Sequence, residues 1–562
     1  VREIVKKRHR NRESIEPVGA RGRGGLAGRV IDHRYGPAGL LFLAAVALRV
    51  AVQSWRVAHD PLFNQTLNDA TFYAAWARAI AEGRVYGLAH APYFMPPLYP
   101  QFLALLARMT GGSPWGPTVV QSLLGAVTVV GIYLLGCQVF DRRAGLGAGI
   151  VALLFGPLLW FEGWLLPATL NIFLLVVALN LTVFVFQREG RPVWWVLLPG
   201  FALGLAAINR PQHLLLLLGI AIWWWWSARG DAAGRWRPAA LLLAGAAVAI
   251  LPVTVRNVAV SGEPVLISAN GGLNFYLGNF ATARGRFAYP DGFPVNIGAY
   301  QDVARRRATA ALGDEPSWSA VSRYWFGKGV ADLTADPRRA LGLWARKLRL
   351  AFSWREMENN FYVAWVRRQL GPGRWLLPTV GALWLLALPA LLATLAVRPA
   401  RHGPLLILLV TTLATCVLFW VSTRNRLPLM IPLAVYAGAS LTRPRLWRSG
   451  KTALALLVVA VAVFWPTGDN EGAPFYANLG RSLARRGQLV AAQDAFRRSL
   501  TLNSDNPSAL NGLALTYMEL GHREEAIARL RNLLQRYPDY EIARRNLEAI
   551  LSSPPPPPDR KR

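Results

Sequence analysis

Cysteine is nearly absent from the 562 residues: two are present, Cys137 and Cys416, and both fall inside apolar runs. Their burial among hydrophobes fits small core residues, and neither a disulfide framework nor a thiolate metal cluster has support. Histidine is also scarce, at seven residues, and His59 and His90 lack acidic or histidine partners at ligand spacing. No divalent metal is therefore expected. Acidic residues are few, 31 against 62 lysines and arginines, a net charge of +31. In a soluble chain that excess would point to nucleic acid. Here the basic residues sit in short loops between apolar runs, the pattern of a membrane protein with cytoplasmic basic loops, and nucleic acid is not an expected partner.

What is abundant is apolar sequence in blocks. Hydrophobic residues make up 53% of the chain, with 22 tryptophans. A helix needs about 20 apolar residues to cross the hydrocarbon core. Blocks of about that length predict eleven spans, near 36–55, 117–139, 144–161, 167–186, 193–208, 211–227, 238–255, 374–397, 404–421, 427–441 and 452–466. The first block lacks a small-residue cleavage site and reads as an anchor rather than a signal peptide. Residues 98–109 are too short to cross and read as an interfacial or re-entrant helix. Counting them as a crossing would invert an otherwise consistent alternation. With the N-terminus cytoplasmic, the inside loops carry Arg142-Arg143, Arg188 with Arg191, Arg229 with Arg235 and Arg237, Arg398 with Arg401, and Arg443 to Lys451.

The resulting organisation is a disordered basic cytoplasmic arm (1–34) near anionic lipid and a membrane domain (35–466). After these come a helical repeat region (474–551) and a disordered proline-rich tail (552–562). Two outer segments interrupt the membrane domain. One is the first loop, 56–97, and the other is a long piece, 256–373, expected to mix strand-like and helical stretches. The fold class is thus an all-α polytopic membrane protein with a mixed extramembrane piece and a C-terminal α-helical domain. The repeats have a period of 34: Leu479 with Leu513, Gly487 with Gly521, Ala492 with Ala526, and Phe496 with Leu530. This spacing resembles the tetratricopeptide repeat (TPR). Two such units and a last helix form a small array that leans on the membrane domain or on a protein partner.

Chemistry is expected where polar residues break the apolar frame on the outer face. Asp69 opens an amphipathic stretch of the first loop. It either caps that helix or serves as a general base in a partly dry pocket rimmed by Tyr73, Tyr93 and Tyr99. Glu162, in Trp160-Phe161-Glu162-Gly163-Trp164, is an interfacial residue of an aromatic belt or a second acid in the same cavity. Arg210, in Asn209-Arg210-Pro211, stands in a nearly continuous apolar stretch and is expected to bind an anion or pair inside the cavity. Arg424 and Arg426, flanking Asn425, offer bidentate donors for a phosphate. The Gly/Asn-rich stretch 270–279, with Asn270 and Asn274, reads as a loop able to present amides to an anion or sugar. Glu356 and Asn360 either meet sugar hydroxyls or cap a helix.

Together these residues resemble the C-type (GT-C) glycosyltransferases of the protein O-mannosyltransferase and aminoarabinose-transferase superfamily, in particular bacterial members with a C-terminal tetratricopeptide domain. The resemblance is carried by Asp69 with Tyr73, the run Met95-Pro96-Pro97-Leu98-Tyr99-Pro100, Glu162-Gly163, Asn209-Arg210-Pro211, Arg256-Asn257, residues 270–279, Glu356 with Asn359-Asn360, and residues 424–428. Two positions depart from it. Many relatives pair two acids where this chain has Asn68-Asp69-Ala70, and Ala168-Thr169 stand where an acid often opens a span.

The resemblance implies a polyprenyl-phosphate-linked sugar as donor substrate, with no cofactor. It places the active site on the non-cytoplasmic face of a bacterial inner membrane, and the alternation of basic loops puts the tetratricopeptide domain on that same periplasmic side. It makes the Asp69 carboxylate the base. The mechanism expected from the residues themselves has Arg424 and Arg426, with Arg210 or Arg256, hold the departing phosphate while a hydroxyl of a protein, lipid or glycan acceptor attacks. Two other classes fit parts of the pattern. A non-enzymatic scaffold recruiting envelope proteins through its repeats leaves the first loop unexplained. A lipid-linked glycan ligase or polymerase uses outer arginines without needing a first-loop acid.

Overall fold

The computed structural model describes residues 36–63, 66, 69–84, 91–187, 192–227, 232–288, 290, 293, 297–357, 378–397, 400–467, 472–538 and 540–553. The basic arm, the proline tail, Asn68, His90, Glu358, Asn359 and Asn360 lie outside the described residues. The described chain is helical, and its isolated β-bridge joins Arg286 to Val421.

Among the described residues, six helices are long and apolar enough to cross a membrane, and three shorter apolar helices accompany them. The chain is a membrane protein of several spans. Several of the expected spans are shorter or interrupted in the structure. Residues 144–161 break into α5 (Arg142–Leu153) and α6 (Gly156–Phe161), with Pro157 in the first turn of the second piece. Asp141 caps α5 by accepting from the Ala144 amide at 2.9 Å. The last part of the core is α18 (Met430–Leu441), every residue of which is buried except Leu441. It packs against α5 and against α15 (Val380–Val397). A Cβ on Gly438 would collide with the Ala148 amide and the Ala144 carbonyl, so only glycine allows α18 and α5 to approach this closely.

The first loop carries α2 (Asp69–Ala81) packed on α3 (Leu98–Met109). The described part of segment 256–373 differs from expectation. Helix α10 (Ala232–Ser261) runs past residue 255, so Arg256-Asn257 are helical. The stretch expected as a Gly/Asn loop is α11 (Gly271–Asn279). Its glycines serve packing: a Cβ on Gly272 or Gly278 would strike the backbone of Ser322 or Phe419. Beyond it come α12 (Ile297–Leu312), α13 (Trp318–Ala335) and α14 (Pro337–Phe352), around a core of Leu277, Phe293, Tyr300 and Trp325. Strand-like composition here reflects aromatic residues packed between helices rather than a sheet.

The C-terminal helices pair as α20 (Ala473–Arg485) with α21 (Leu489–Leu502) and α22 (Pro507–Glu519) with α23 (Arg523–Arg536), followed by α24 (Glu541–Ser552). Gly487 and Gly521 take φ of 73° and 89° at the two inter-helix turns, which explains why glycine recurs at that spacing. Two contacts join this array to the preceding chain: Arg486 donates to the Pro61 carbonyl at 3.2 Å, and Arg306 of α12 pairs with Glu541 at 3.2 Å.

Candidate active site

A cavity of about 190 Å³ gathers side chains from distant parts of the chain. Helix α2 contributes Asp69 and Tyr73, the turn before α9 (His213–Ser227) contributes Arg210, and the start of α11 contributes Asn270 and Asn274. The short helix α17 (Thr423–Arg426), which follows α16 (Gly403–Leu418), supplies Arg424 and Asn425. Asp69 Oδ2 accepts from Arg424 Nη1 at 2.8 Å, with side chains only 15% and 14% exposed. Sequence separation between the two is 355 residues.

The arginine pair is built from its backbone outward. Ser422 caps α17 by accepting from the Asn425 amide, and Asn425 Nδ2 donates to the Trp420 carbonyl at 3.0 Å. Arg210 then clasps the turn, donating to the Arg424 carbonyl at 3.1 Å and to Asn425 Oδ1 at 2.5 Å. Burial and the like charge of Arg424 lower the Arg210 pKa to about 9, which keeps it cationic at neutral pH. Burial also works against the charge on Arg424, but Asp69 and Tyr73 outweigh it and raise its pKa. Tyr73 is pushed up to about 12 by burial and by the Asp69 carboxylate, so its hydroxyl stays protonated. Two guanidiniums, one carboxylate and neutral hydroxyl and amide groups thus face one small cavity, a set suited to an anion beside a proton acceptor.

Other expected site residues lie elsewhere. Arg426 is fully buried, donating to the Leu350 and Ser353 carbonyls at 3.0 and 2.7 Å, to the Arg355 carbonyl, and to Glu356 at 2.9 Å. Glu356 thereby holds Arg426 rather than facing the cavity. Arg256 stacks on the Tyr93 ring at 4.0 Å and donates to the Ala91 carbonyl at 3.0 Å. With Asn257, whose Oδ1 accepts from the Tyr93 amide, it straps the approach to Met95-Pro96 at the cavity edge. Tyr99 meets Tyr73 edge-on and donates to buried Gln121 at 2.9 Å, which places it behind the cavity wall.

Glu162 is also absent from the cavity lining. It is fully buried, and its Oε1 accepts from Arg49 Nε and Nη2 at 3.1 and 2.7 Å. Breaking such a pair costs about 3–5 kcal/mol because a buried charge is left uncompensated. Glu162→Ala is therefore expected to lower the thermal unfolding temperature in detergent, and Arg49→Met/Glu162→Met to recover part of the loss. A Glu162→Ala protein that melts like the parent but loses turnover would return Glu162 to catalysis.

The cavity residues that escaped the sequence reading include the aromatics Phe287, Tyr300, Phe419 and Trp420. They belong to no motif and are brought in by packing of the helices that follow α10. The arginines at positions 49 and 56 also escaped it, although an arginine inside an apolar run is a signal in itself. Seven positions apart on α1 (Gly36–His59), both turn inward; Arg56 is fully buried against Asp60 at 3.1 Å.

Residues 95–255 match the family model described as dolichyl-phosphate-mannose-protein mannosyltransferase, and residues 483–551 match the tetratricopeptide repeat. The repeat match falls on the C-terminal helix pairs. The first match takes in Glu162 and Arg210 but neither Asp69 nor Arg424. No curated protein matches the chain in sequence. Among solved structures, the oligosaccharyltransferase AglB of Archaeoglobus fulgidus, in complex with an inhibitory peptide and a dolichol-phosphate, aligns at 15% identity and TM-score 0.43. That alignment covers 77% of this chain and 54% of AglB, so the chain spans about half the length of that protein. ArnT of Cupriavidus metallidurans, bound to undecaprenyl phosphate, aligns at 16% identity and TM-score 0.42, covering 92% of this chain and 77% of ArnT.

Proposed function

We propose that this protein is a GT-C-type glycosyltransferase that moves a sugar from a polyprenyl-phosphate donor to an acceptor hydroxyl. The observation that carries the reading is the meeting of Asp69 with Arg424 at 2.8 Å in a cavity that also holds Arg210, Asn270 and Asn274. The family description of residues 95–255 supports a lipid-phosphate sugar donor.

Asp69 takes the acceptor proton as the acceptor oxygen attacks the anomeric carbon. The carbon–oxygen bond to phosphate breaks, and the phosphate leaves with the bonding pair, so the configuration inverts. A lipid phosphate is already a stable leaving anion and needs charge stabilisation rather than protonation. One carboxylate therefore suffices, where glycoside hydrolysis uses two. Arg424 holds the departing phosphate, and Arg210 fixes the turn that aims Arg424 while adding its own charge. Asn270 and Asn274 are placed to meet sugar hydroxyls. The reaction belongs to the non-cytoplasmic face of a bacterial inner membrane, given the alternation of basic loops with the N-terminus inside. The repeats, on that same side, are an acceptor or partner-protein surface.

Comparison of glycolipids and glycoproteins by mass spectrometry, in cells with and without this chain, tests the reading. Loss of one sugar from an acceptor, with its polyprenyl-phosphate form accumulating, is the expected result. Unchanged glycans with loss of an envelope protein complex would favour the scaffold class instead.

A further inference from the structure

A second and larger cleft, about 440 Å³, lies on the other flank of α2 and has no part in the mechanism above. Tyr73 faces the candidate active site, whereas Ala74 and Ala77, the latter one turn on, face this cleft. Leu103 and Ala107 of α3 form its opposite wall, and Trp164 and Leu165 line it as well. Its volume falls in the range of sites for small organic ligands, about 300–1,000 Å³.

Polar groups also line it. Arg78 and Arg108 are both exposed and both border the cleft. Arg108 is held in place, its Nη2 donating to the Ile80 carbonyl at 3.1 Å. Glu82 is the carboxylate among the lining residues, and it pairs with Arg84. Two positive charges remain beyond that pair. The same helix α3 turns Leu105 and Met109 outward, 56% and 72% exposed, and Trp115 nearby is 43% exposed. Exposed apolar side chains interleaved with arginine suit the level where acyl chains meet headgroups.

We propose that this cleft binds an anionic phospholipid, one acyl chain between α2 and α3 and the headgroup phosphate between Arg78 and Arg108. Charge complementarity selects the headgroup, because a neutral zwitterionic lipid gains no net attraction from two arginines. Small side chains at positions 74, 77 and 107 leave the volume for the chain. The lipid would then brace the rear of the helix that presents Asp69.

Native mass spectrometry of the full chain in detergent micelles tests this directly, with dioleoyl phosphatidylglycerol and dioleoyl phosphatidylethanolamine as probes. The full chain is expected to retain phosphatidylglycerol at about tenfold lower concentration than phosphatidylethanolamine. Arg78→Gln/Arg108→Gln, at two exposed positions, should abolish that preference. Ala74→Leu, which fills the cleft floor, should weaken retention of the first tight lipid while both arginines remain. Equal retention of the two lipids, a preference surviving the double substitution, or retention unaffected by Ala74→Leu would each overturn the proposal.

Discussion

Asp69→Asn is expected to lower sugar transfer by about 10²–10⁴-fold, the usual contribution of a positioned general base. The amide keeps the shape of the carboxylate and still accepts a hydrogen bond from Arg424, so the fold should persist. It cannot take a proton from an acceptor hydroxyl. The same substitution has a second, opposite consequence. On the proposed mechanism Asp69 and the donor phosphate draw on one guanidinium, and neutralising Asp69 removes the competitor. Partly exposed ion pairs contribute up to about 1 kcal/mol, so affinity for a polyprenyl phosphate should rise by about two- to fivefold. Turnover falling while binding tightens is a signature that a misfolded variant does not give. Isothermal titration with undecaprenyl phosphate, alongside transfer assays, measures both. An Asp69→Asn protein with full turnover removes Asp69 from the role of base.

Arg424→Ala is expected to lower turnover by about 10²–10³-fold, as for loss of one preorganised donor at a developing charge. It should also weaken donor binding, the opposite of the Asp69 result. Arg424→Lys restores a charge but not the planar two-pronged donor, so partial rescue is expected. Arg426, two residues away, provides the contrast. Arg426→Ala leaves Glu356 buried without its cation and strips donors from the Leu350 and Ser353 carbonyls. Its effect should appear in thermal stability, with donor affinity of the folded fraction unchanged. Loss of donor binding in a fully stable Arg426→Ala protein would reverse the assignment of the two arginines.

That contrast shows how far the sequence can be read. Residues two apart on a helix point to opposite sides, so only one of Arg424 and Arg426 can face a cavity at a time. Helical geometry alone therefore splits the pair, but which member faces in depends on Glu356, some 70 residues away. Glu162 was legible as a charge at the edge of an apolar run, but its partner Arg49 sits 113 positions earlier. Composition supplies the cost of burying the acid and stays silent on what neutralises it. The repeats were legible because Gly487 and Gly521 need positive φ at equivalent turns, which is a local demand. The strand expectation for the outer segment failed because β-rich aromatics such as Phe293, Tyr300 and Trp325 pack equally well between helices. Tyr300 and Trp420 reach the cavity through that packing, and no local pattern announces it.

On the proposed mechanism Arg424 exchanges the Asp69 carboxylate for the donor phosphate within one cavity. An experimental structure with undecaprenyl phosphate bound measures this most directly. The account predicts phosphate oxygens within hydrogen-bond reach of the Arg424 guanidinium, and Asp69 turned toward the space an acceptor hydroxyl would occupy. A phosphate bound elsewhere, with the Asp69–Arg424 pair still closed at 2.8 Å, would contradict it.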